Sequence, residues 1–595
     1  MSKPPKTMLI SNYKVEGKPQ DGPQFGAVRL EAWLEGHGGK PGLAEEGHSV
    51  RGLLSRRSND DTQTRGTGHS STETAYEPGF SPAHLRLAPS SDFSNMPVDA
   101  NDFRVRFLIG LYFFTIQPMF PLFREEQFMQ DFHSGAAPPS LVIVMVSLAS
   151  RFSNAFPEYR NLGSAVDRIE RSIVQNELSR PRVMLNDIKL ACLCVIHQLA
   201  SSPKRDTRVV MEALSRVVHA CRLHKVDSCD YASSIFPDAT IEELRNVWWA
   251  VIRIDTCCNV TSCTPFYLHL ESNITSSVGA SVSGFPAAAK PSHCLSRIPH
   301  SMNASFWKVL ENRSNATFAD GRWLHISMYL LLREIGNLMR DTVLNPEDQA
   351  QEAKVLHAHE SCKRICGLLP AWYIDPQRAF RMHESPLRHR IRLETLMLLR
   401  ICCIYTVLPL LVNLQSCLPT DPGSRARLLS LWDLFTSHLQ AAAAIAEAMP
   451  PAYYRNCDPQ MSTAIWIVGC MVCLCGMLAP QSSNFVGWSQ SRQQNLERGF
   501  DVLRESLAGF ARTWKLSGQM LESLESVRGW QGLQLQLNEV LGLLARLQVP
   551  VPVRDADSGD PYEIDVVSVC KDPPGQMPTW WPNVQDEYAS KGPHV

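Results

Sequence analysis

From residue 186 to residue 221 the apolar side chains return every three or four positions. Ile188, Ala191, Cys192, Val195, Ile196 and Leu199 form one such series, and Val210, Ala213, Leu214, Val217, Val218 and Cys221 form the next. That spacing lays an apolar stripe along a helix; a half-buried strand would alternate instead. Helical patterning returns over 303–342, 347–369, 386–418, 425–448, 459–479 and 490–546. No alternating run with hairpin chemistry stands beside these segments. The sequence therefore predicts an all-α fold, with one large helical domain over 100–548.

Two further starts are written locally. Phe107–Phe123 is strongly apolar and aromatic, and Pro138-Pro139 opens a second apolar helix over 138–152. Proline suits the first helical position, where no intrahelical N–H bond is lost. Thr240 and Glu243 stand at capping-box spacing before a helix expected over 241–258. Both ends read differently. Residues 1–99 are rich in Gly, Ser, Pro and Thr and read as a disordered arm, with one short helix conceivable at Val28–Leu34. Residues 549–595 read as an acidic, Pro-rich disordered tail, and 271–301 as a Ser/Gly/Ala/Pro loop.

Charge and cysteine exclude several classes. The 595 residues carry a formal net charge of -1, so the whole chain shows no electrostatic footprint for nucleic acid. Of the 18 cysteines none precedes Cys192, and most sit inside apolar helical runs, where a thiol behaves as a small hydrophobe. They form no disulfide framework and fit a reducing compartment. The N-terminus reads as lacking a secretory signal, so the sequons at Asn259, Asn273, Asn303, Asn312 and Asn315 are read as chance. Residues 461–480 carry no charge and are long enough to span a bilayer, and 401–418 are similar. No basic cluster flanks either to set an orientation. Both are read as buried core helices, with Trp466, Val468 and Met471 packed inward.

Three segments stand in a telling order. LYFFTIQPMFPLFREEQF, residues 111–128, places Phe114, Pro118 and Pro121 in a Tyr-Phe, Pro-x-Phe-Pro, distal Phe pattern. MEALSRVVHACRLHKVD follows at 211–227, and EELRNVWWAVIRIDTCCNVTSCTPFYL at 242–268 contains Arg245, Trp248, Trp249 and Asp255. From Leu108 to about Leu270 this resembles the fungal-specific transcription factor domain, also called the middle homology region. CKRICGLLPAWY, residues 362–373, resembles a later helix of that family ending in Leu-Pro. The departures are Arg222 where the family usually has Gly, Asn246 for the second Arg of the Glu-Leu-Arg-Arg signature, and Cys263-Thr264-Pro265 for Gly-Arg-Pro.

The motif residues read as structural. Leu244, Trp248, Val251 and Asp255 share one helical stripe, while Trp248 and Trp249 point to neighbouring faces and can seal two contacts. Asp255 on an apolar stripe needs a cation, since an unpaired buried charge is expensive. Arg216 or Arg222, on the preceding helix, is the expected partner.

What the resemblance implies is a nuclear transcription regulator or co-regulator, with control of a secondary-metabolite gene set as one expectation. Family members usually carry a six-cysteine, two-zinc module that places a helix in the major groove. The first 191 residues contain no cysteine, no finger pattern and no basic helix leading into a heptad seam. Sequence-specific DNA contact is therefore not expected of the chain itself. A DNA-binding partner or a coactivator protein is expected, a homodimer is open, and a zinc-cluster exon upstream stays an alternative. So does a helical protein of other function, either a small-molecule enzyme or a membrane-associated protein.

Other constellations read as packing. His357, His359, Cys362 and Cys366 fall within one helical region, and the last three could hold zinc; a mixed polar and apolar helix face explains them equally well. Cys470 and Cys473 form a C-x-x-C inside an uncharged run, unlike redox motifs that open a helix. No Walker loop, G-x-G-x-x-G or G-x-S-x-G occurs. No cofactor, metal or catalytic residue is expected. In the tail, Asp555, Asp557, Asp560, Glu563 and Asp565 surround Tyr562 and Ile564, and Trp580 and Trp581 precede Asp586, Glu587 and Tyr588. Such alternation of acid and aromatic residues is the composition of activation segments.

Overall fold

Helix after helix follows the periodicity in the computed structural model. It describes residues 101–173, 183–201, 205–227, 239–262, 321–344, 349–377, 385–414, 422–479, 489–529 and 534–547, with isolated residues between them. The expected arm, tail, 271–301 loop and Val28–Leu34 helix lie outside the described residues, as does the helical reading of 303–320. Among the described residues every regular element is helical; a lone β-bridge pairs Leu478 with Leu535.

The first half comprises α1 (Phe103–Thr115), α2 (Glu125–His133), α3 (Pro139–Ser150), α4 (Gly163–Ser172), α5 (Leu185–Ser201), α6 (Arg205–Ala220) and α7 (Ile241–Ser262). Asp102 caps α1, its carboxylate accepting from Arg104 N at 2.8 Å. Pro138 and Pro139 open α3 as expected, and every residue from Leu141 to Ser150 is buried. Thr240 Oγ1 accepts from Glu243 N at 3.2 Å at the start of α7. The Glu243 carboxylate meets Lys189 at 2.6 Å, so one cap residue also ties α7 to α5.

The second half comprises α8 (Arg322–Leu344), α9 (Gln349–Leu368), α10 (Pro386–Asn413), α11 (Pro422–Glu447), α12 (Gln460–Gly476), α13 (Gln490–Ala511), α14 (Lys515–Arg528) and α15 (Leu537–Arg546). Ser385 caps α10 through Arg388 N, and Ser489 caps α13 through Arg492 N. The apolar run 490–546 divides into three helices; Trp514 precedes α14, and a Gln536–Glu539 capping box opens α15.

The two uncharged segments lie at the centre. In α12 every residue from Met461 to Cys475 is buried, including Trp466, Val468 and Met471. α10 is long and apolar enough to cross a membrane, yet 89% of its apolar window is buried inside the protein. α8, α9 and α11 pack directly on it. A helix buried all round belongs to the middle of a large bundle. α12 in turn packs on α13, α14 and α15, and α14 returns to α5 in the first half. The edge of Phe152 meets Trp514 there, ring centroids 5.3 Å apart. These helices belong to one compact unit within Val98–Val595.

Between α9, α10 and α11 lies a pair of buried histidines. His359 Nδ1 is 3.1 Å from Thr406 Oγ1, whose own proton goes to Cys403 O, so the imidazole donates. His438 Nδ1 lies 3.4 Å from an Arg400 guanidinium nitrogen, which can only donate, so that imidazole is neutral. Burial and then Arg400 hold the His438 pKa down at about 3. Burial likewise lowers His359. An unfolded histidine titrates near 6.5, so below that pH the unfolded chain takes up protons that the folded chain refuses. For His438, stability is full above about pH 6.5 and falls toward pH 3, by up to about 1.4 kcal/mol per pH unit, and His359 adds a loss of the same sign. Thermal melts between pH 7 and 5 should show this loss, and His438→Gln should flatten the slope by about one proton.

Candidate functional site

Helix α7 organises the motif residues. Trp248 is fully buried against the rings of His219 and His224, both with centroids 6.0 Å away, at the end of the second motif. Arg245 Nε donates to Asp227 Oδ1 at 2.8 Å, joining the third motif to the last residue of the second. Trp249 faces elsewhere: it lines a cleft with Pro118 and Pro121 of the first motif. The adjacent indoles thus seal two different contacts. Phe114 is half-buried on α1, outside this junction.

Arg222 occupies a position with φ of 55°, in the left-handed region, and opens a short 3-10 turn over Leu223–Lys225. Only glycine adopts that conformation without a Cβ penalty. The family's usual glycine at this point has a backbone reason, and this chain bears the strain with an exposed Arg.

Asp255 is fully buried, but its partner is neither Arg216 nor Arg222. Arg216 is exposed and pairs with Glu212 on its own helix at 3.0 Å. The cation is Arg333 of α8, whose Nη1 donates to Asp255 Oδ2 at 2.5 Å. Leu268 N also donates to that carboxylate at 3.2 Å, and Arg333 donates to Leu268 O. The carboxylate therefore fixes α8 and the chain beyond α7 together.

Two residues earlier on α7, Arg253 forms a second buried cluster. Its Nη2 donates to Asp458 Oδ2 at 2.7 Å, its Nη1 donates to Met119 O, and its guanidinium lies 4.7 Å from the Phe120 ring centroid. Tyr329 Oη donates to the same Asp458 oxygen at 2.8 Å. Asp458 N donates to Glu394 Oε1 at 3.2 Å. Burial pushes the Glu394 carboxyl pKa up. His325 donates from Nδ1 to Thr395 Oγ1, whose proton goes to Ile391 O. Burial, then Arg253, Arg390 and Arg322, hold its pKa well below the usual histidine range. Sequence reasoning missed Arg253, Asp458, Glu394 and Arg390, which no local pattern singles out.

Arg253, His325, Arg390 and Glu394 line a cleft of about 60 Å³ between the loop after α1 and helices α7, α8 and α10. Residues 109–276 match the model of the fungal specific transcription factor domain. The match covers less than a third of the 595 residues. No curated protein and no solved structure shows a match. All three motif segments fall largely within the domain, whereas Arg333, Arg390, Glu394 and Asp458 lie beyond its matched end.

The domain's second recess, of about 650 Å³, has Phe123, Phe128 and Leu141 on its wall beside the Lys189–Glu243 ion pair. Elsewhere, His359 and Cys362 point inward, Cys362 and Cys366 lie against the Cys403 thiol, and His357 is exposed. Among the described residues no group of His, Cys, Asp and Glu is arranged to hold a metal. Cys470 and Cys473 are buried in α12 and form no disulfide among the described residues.

Two substitutions test the junction. Trp248→Ala should cost about 3–5 kcal/mol, lowering the melting temperature and cellular abundance together; an unchanged melt would place the indole in a contact site instead. Arg222→Gly should raise stability by about 0.5–1 kcal/mol by relieving the left-handed Cβ, read as a higher denaturation midpoint with unchanged slope.

Proposed function

We propose that this chain is a nuclear transcription regulator or co-regulator, with no catalytic activity of its own, that reaches DNA through a partner. The observation carrying the reading is the fungal specific transcription factor domain over 109–276. The first 191 residues hold no cysteine from which a zinc cluster could be built, and the net charge of -1 supplies no general attraction for phosphate. The acidic and aromatic tail, with Asp565, Trp580 and Trp581, is the segment we propose for contact with a coactivator; it lies outside the described residues. Control of a secondary-metabolite gene set is the finer proposal, supported by the family resemblance alone.

The membrane alternative rested on the apolar runs now seen in α10 and α12. Protein surrounds both helices, and that favours the core reading.

Purified full-length chain should give no salt-resistant footprint on a defined promoter, because specific duplex contact requires a groove-reading element. Fused to an unrelated DNA-binding module, the same chain should change reporter output. A footprint by the chain alone would overturn the partner requirement, and a silent fusion would overturn the regulatory reading.

A further inference from the structure

The cleft over Arg253 has a wall of unusual composition. Among its described lining residues three carry guanidinium groups (Arg253, Arg322 and Arg390) and one, Glu394, carries a carboxylate. Arg253 donates to Asp458, which lies behind the wall, and to Met119 O, and only its Nε is left without a partner among the described residues. Arg390 has the Glu394 ion pair alone among them. Only 4% of it is exposed, and its Nε stands 3.5 Å from Glu394 Oε1. That is ion-pair distance but beyond good hydrogen-bond geometry, and this Nε has no hydrogen-bond partner. The Glu394 oxygen facing it also accepts from Asp458 N, so its capacity is shared. A guanidinium offers five donors, and burying them without acceptors is costly. The neighbouring His325 stays neutral, so it adds no charge that would compensate Glu394.

Much of the remaining lining is apolar: Pro118, Pro121, Ile326 and Ile391, with the Trp249 indole beside them. A volume of about 60 Å³ is several times the roughly 10–15 Å³ that one water needs by such a measure. The space therefore admits a small molecule's head and short body. An anionic group would satisfy the Arg390 donors in a partly desolvated setting, where a charge-assisted, bidentate contact is strong. A hydrocarbon body would lie against the prolines and isoleucines.

We propose that this cleft binds a small organic carboxylate, its carboxylate on Arg390 and its apolar body against Pro118, Pro121 and Ile391. Glu394 then acts as a positioning residue that holds Arg390 in the empty state. Occupancy braces the loop after α1 against α7, α8 and α10, joining the matched domain to the helices beyond it. That an occupant modulates transcription rests on the regulatory reading above; the binding itself does not.

The test is calorimetric titration of the full-length chain at constant ionic strength with three probes: sodium butyrate, 1-butanol and sodium phosphate. Butyrate should bind saturably with one site, butanol should give no saturable heat, and phosphate should bind at least tenfold more weakly because it gains nothing from the apolar wall. Arg390→Gln should weaken butyrate about tenfold or more, with Arg390→Lys between the two. If Arg390→Gln fails to fold, Pro118→Ala trims the apolar wall alone and should weaken butyrate while leaving phosphate unchanged. No saturable butyrate binding by the folded wild-type chain overturns the proposal, as does butyrate affinity unchanged in either Arg390 variant. Phosphate binding as tightly as butyrate overturns the carboxylate assignment. A reporter fusion carrying Arg390→Lys separates the two readings. Butyrate binding in the tube with a silent wild-type fusion rejects the regulatory reading and keeps the site.

Discussion

Two buried ion pairs of opposite sense leave α7 two residues apart. Arg253 reaches Asp458 at the entrance to α12, and Asp255 reaches Arg333 on α8. A separation of two residues on a helix points side chains to nearly opposite directions, so one helix is pinned from both sides. Neither pair need add net stability, because desolvation offsets much of the attraction. Their effect is on register: with either partner missing, a full charge is stranded in the interior at a cost of about 3–5 kcal/mol. α7 can therefore sit against α8 and α12 in only one way.

That constraint reaches past the matched domain. Residues 109–276 contain Arg253 and Asp255, but Asp458 and Arg333 come from helices later in the chain. α14 also returns to α5, and Phe152 meets Trp514. The matched segment is thus one side of a larger helical body. Its motif residues make sense only with the other side present. Trp248, Arg245 and Asp227 hold the segment to itself, whereas Trp249, Arg253 and Asp255 face outward to the rest.

Much of the helical layout was legible because it is local. Helices expected over 186–199 and 207–221 appear as α5 and α6 with ends shifted by one or two residues, and Pro138-Pro139 and Thr240 mark the starts of α3 and α7 as their chemistry requires. The helices Glu125–His133 and Gly163–Ser172 went unread: they are short, lie beyond the strongly apolar runs, and carry few apolar residues to show a period. Pairing was not legible. Asp255 announced that it needed a cation, but periodicity says nothing about a partner 78 residues away, and the nearer arginines proved to be a surface residue and a strained turn. Arg253 sits between apolar residues on the same helix and gave no signal, although its carboxylate partner is 205 residues distant.

The distribution of polarity within the bundle carries the last step. α3 and α12 are buried on every side with no charge at all, so these two helices pack from apolar and small polar residues alone. Charged groups could have been left out of the interior everywhere, and replacing buried ion pairs by apolar groups is often neutral or stabilising. Buried charge does occur elsewhere, in the Lys189–Glu243 and Asp255–Arg333 pairs, but one group of it, Arg253, Glu394 and Arg390 with Asp458 behind them, lies where the Pro-x-Phe-Pro loop, α7, α8 and α10 meet. Costly groups beside a cleft serve recognition better than they serve folding alone. Perturbed titratable groups around a cleft are characteristic of functional sites. The same junction joins the first and third family motifs to the later helices, so whatever occupies it acts on the contact that determines how the two sides of the bundle are held together.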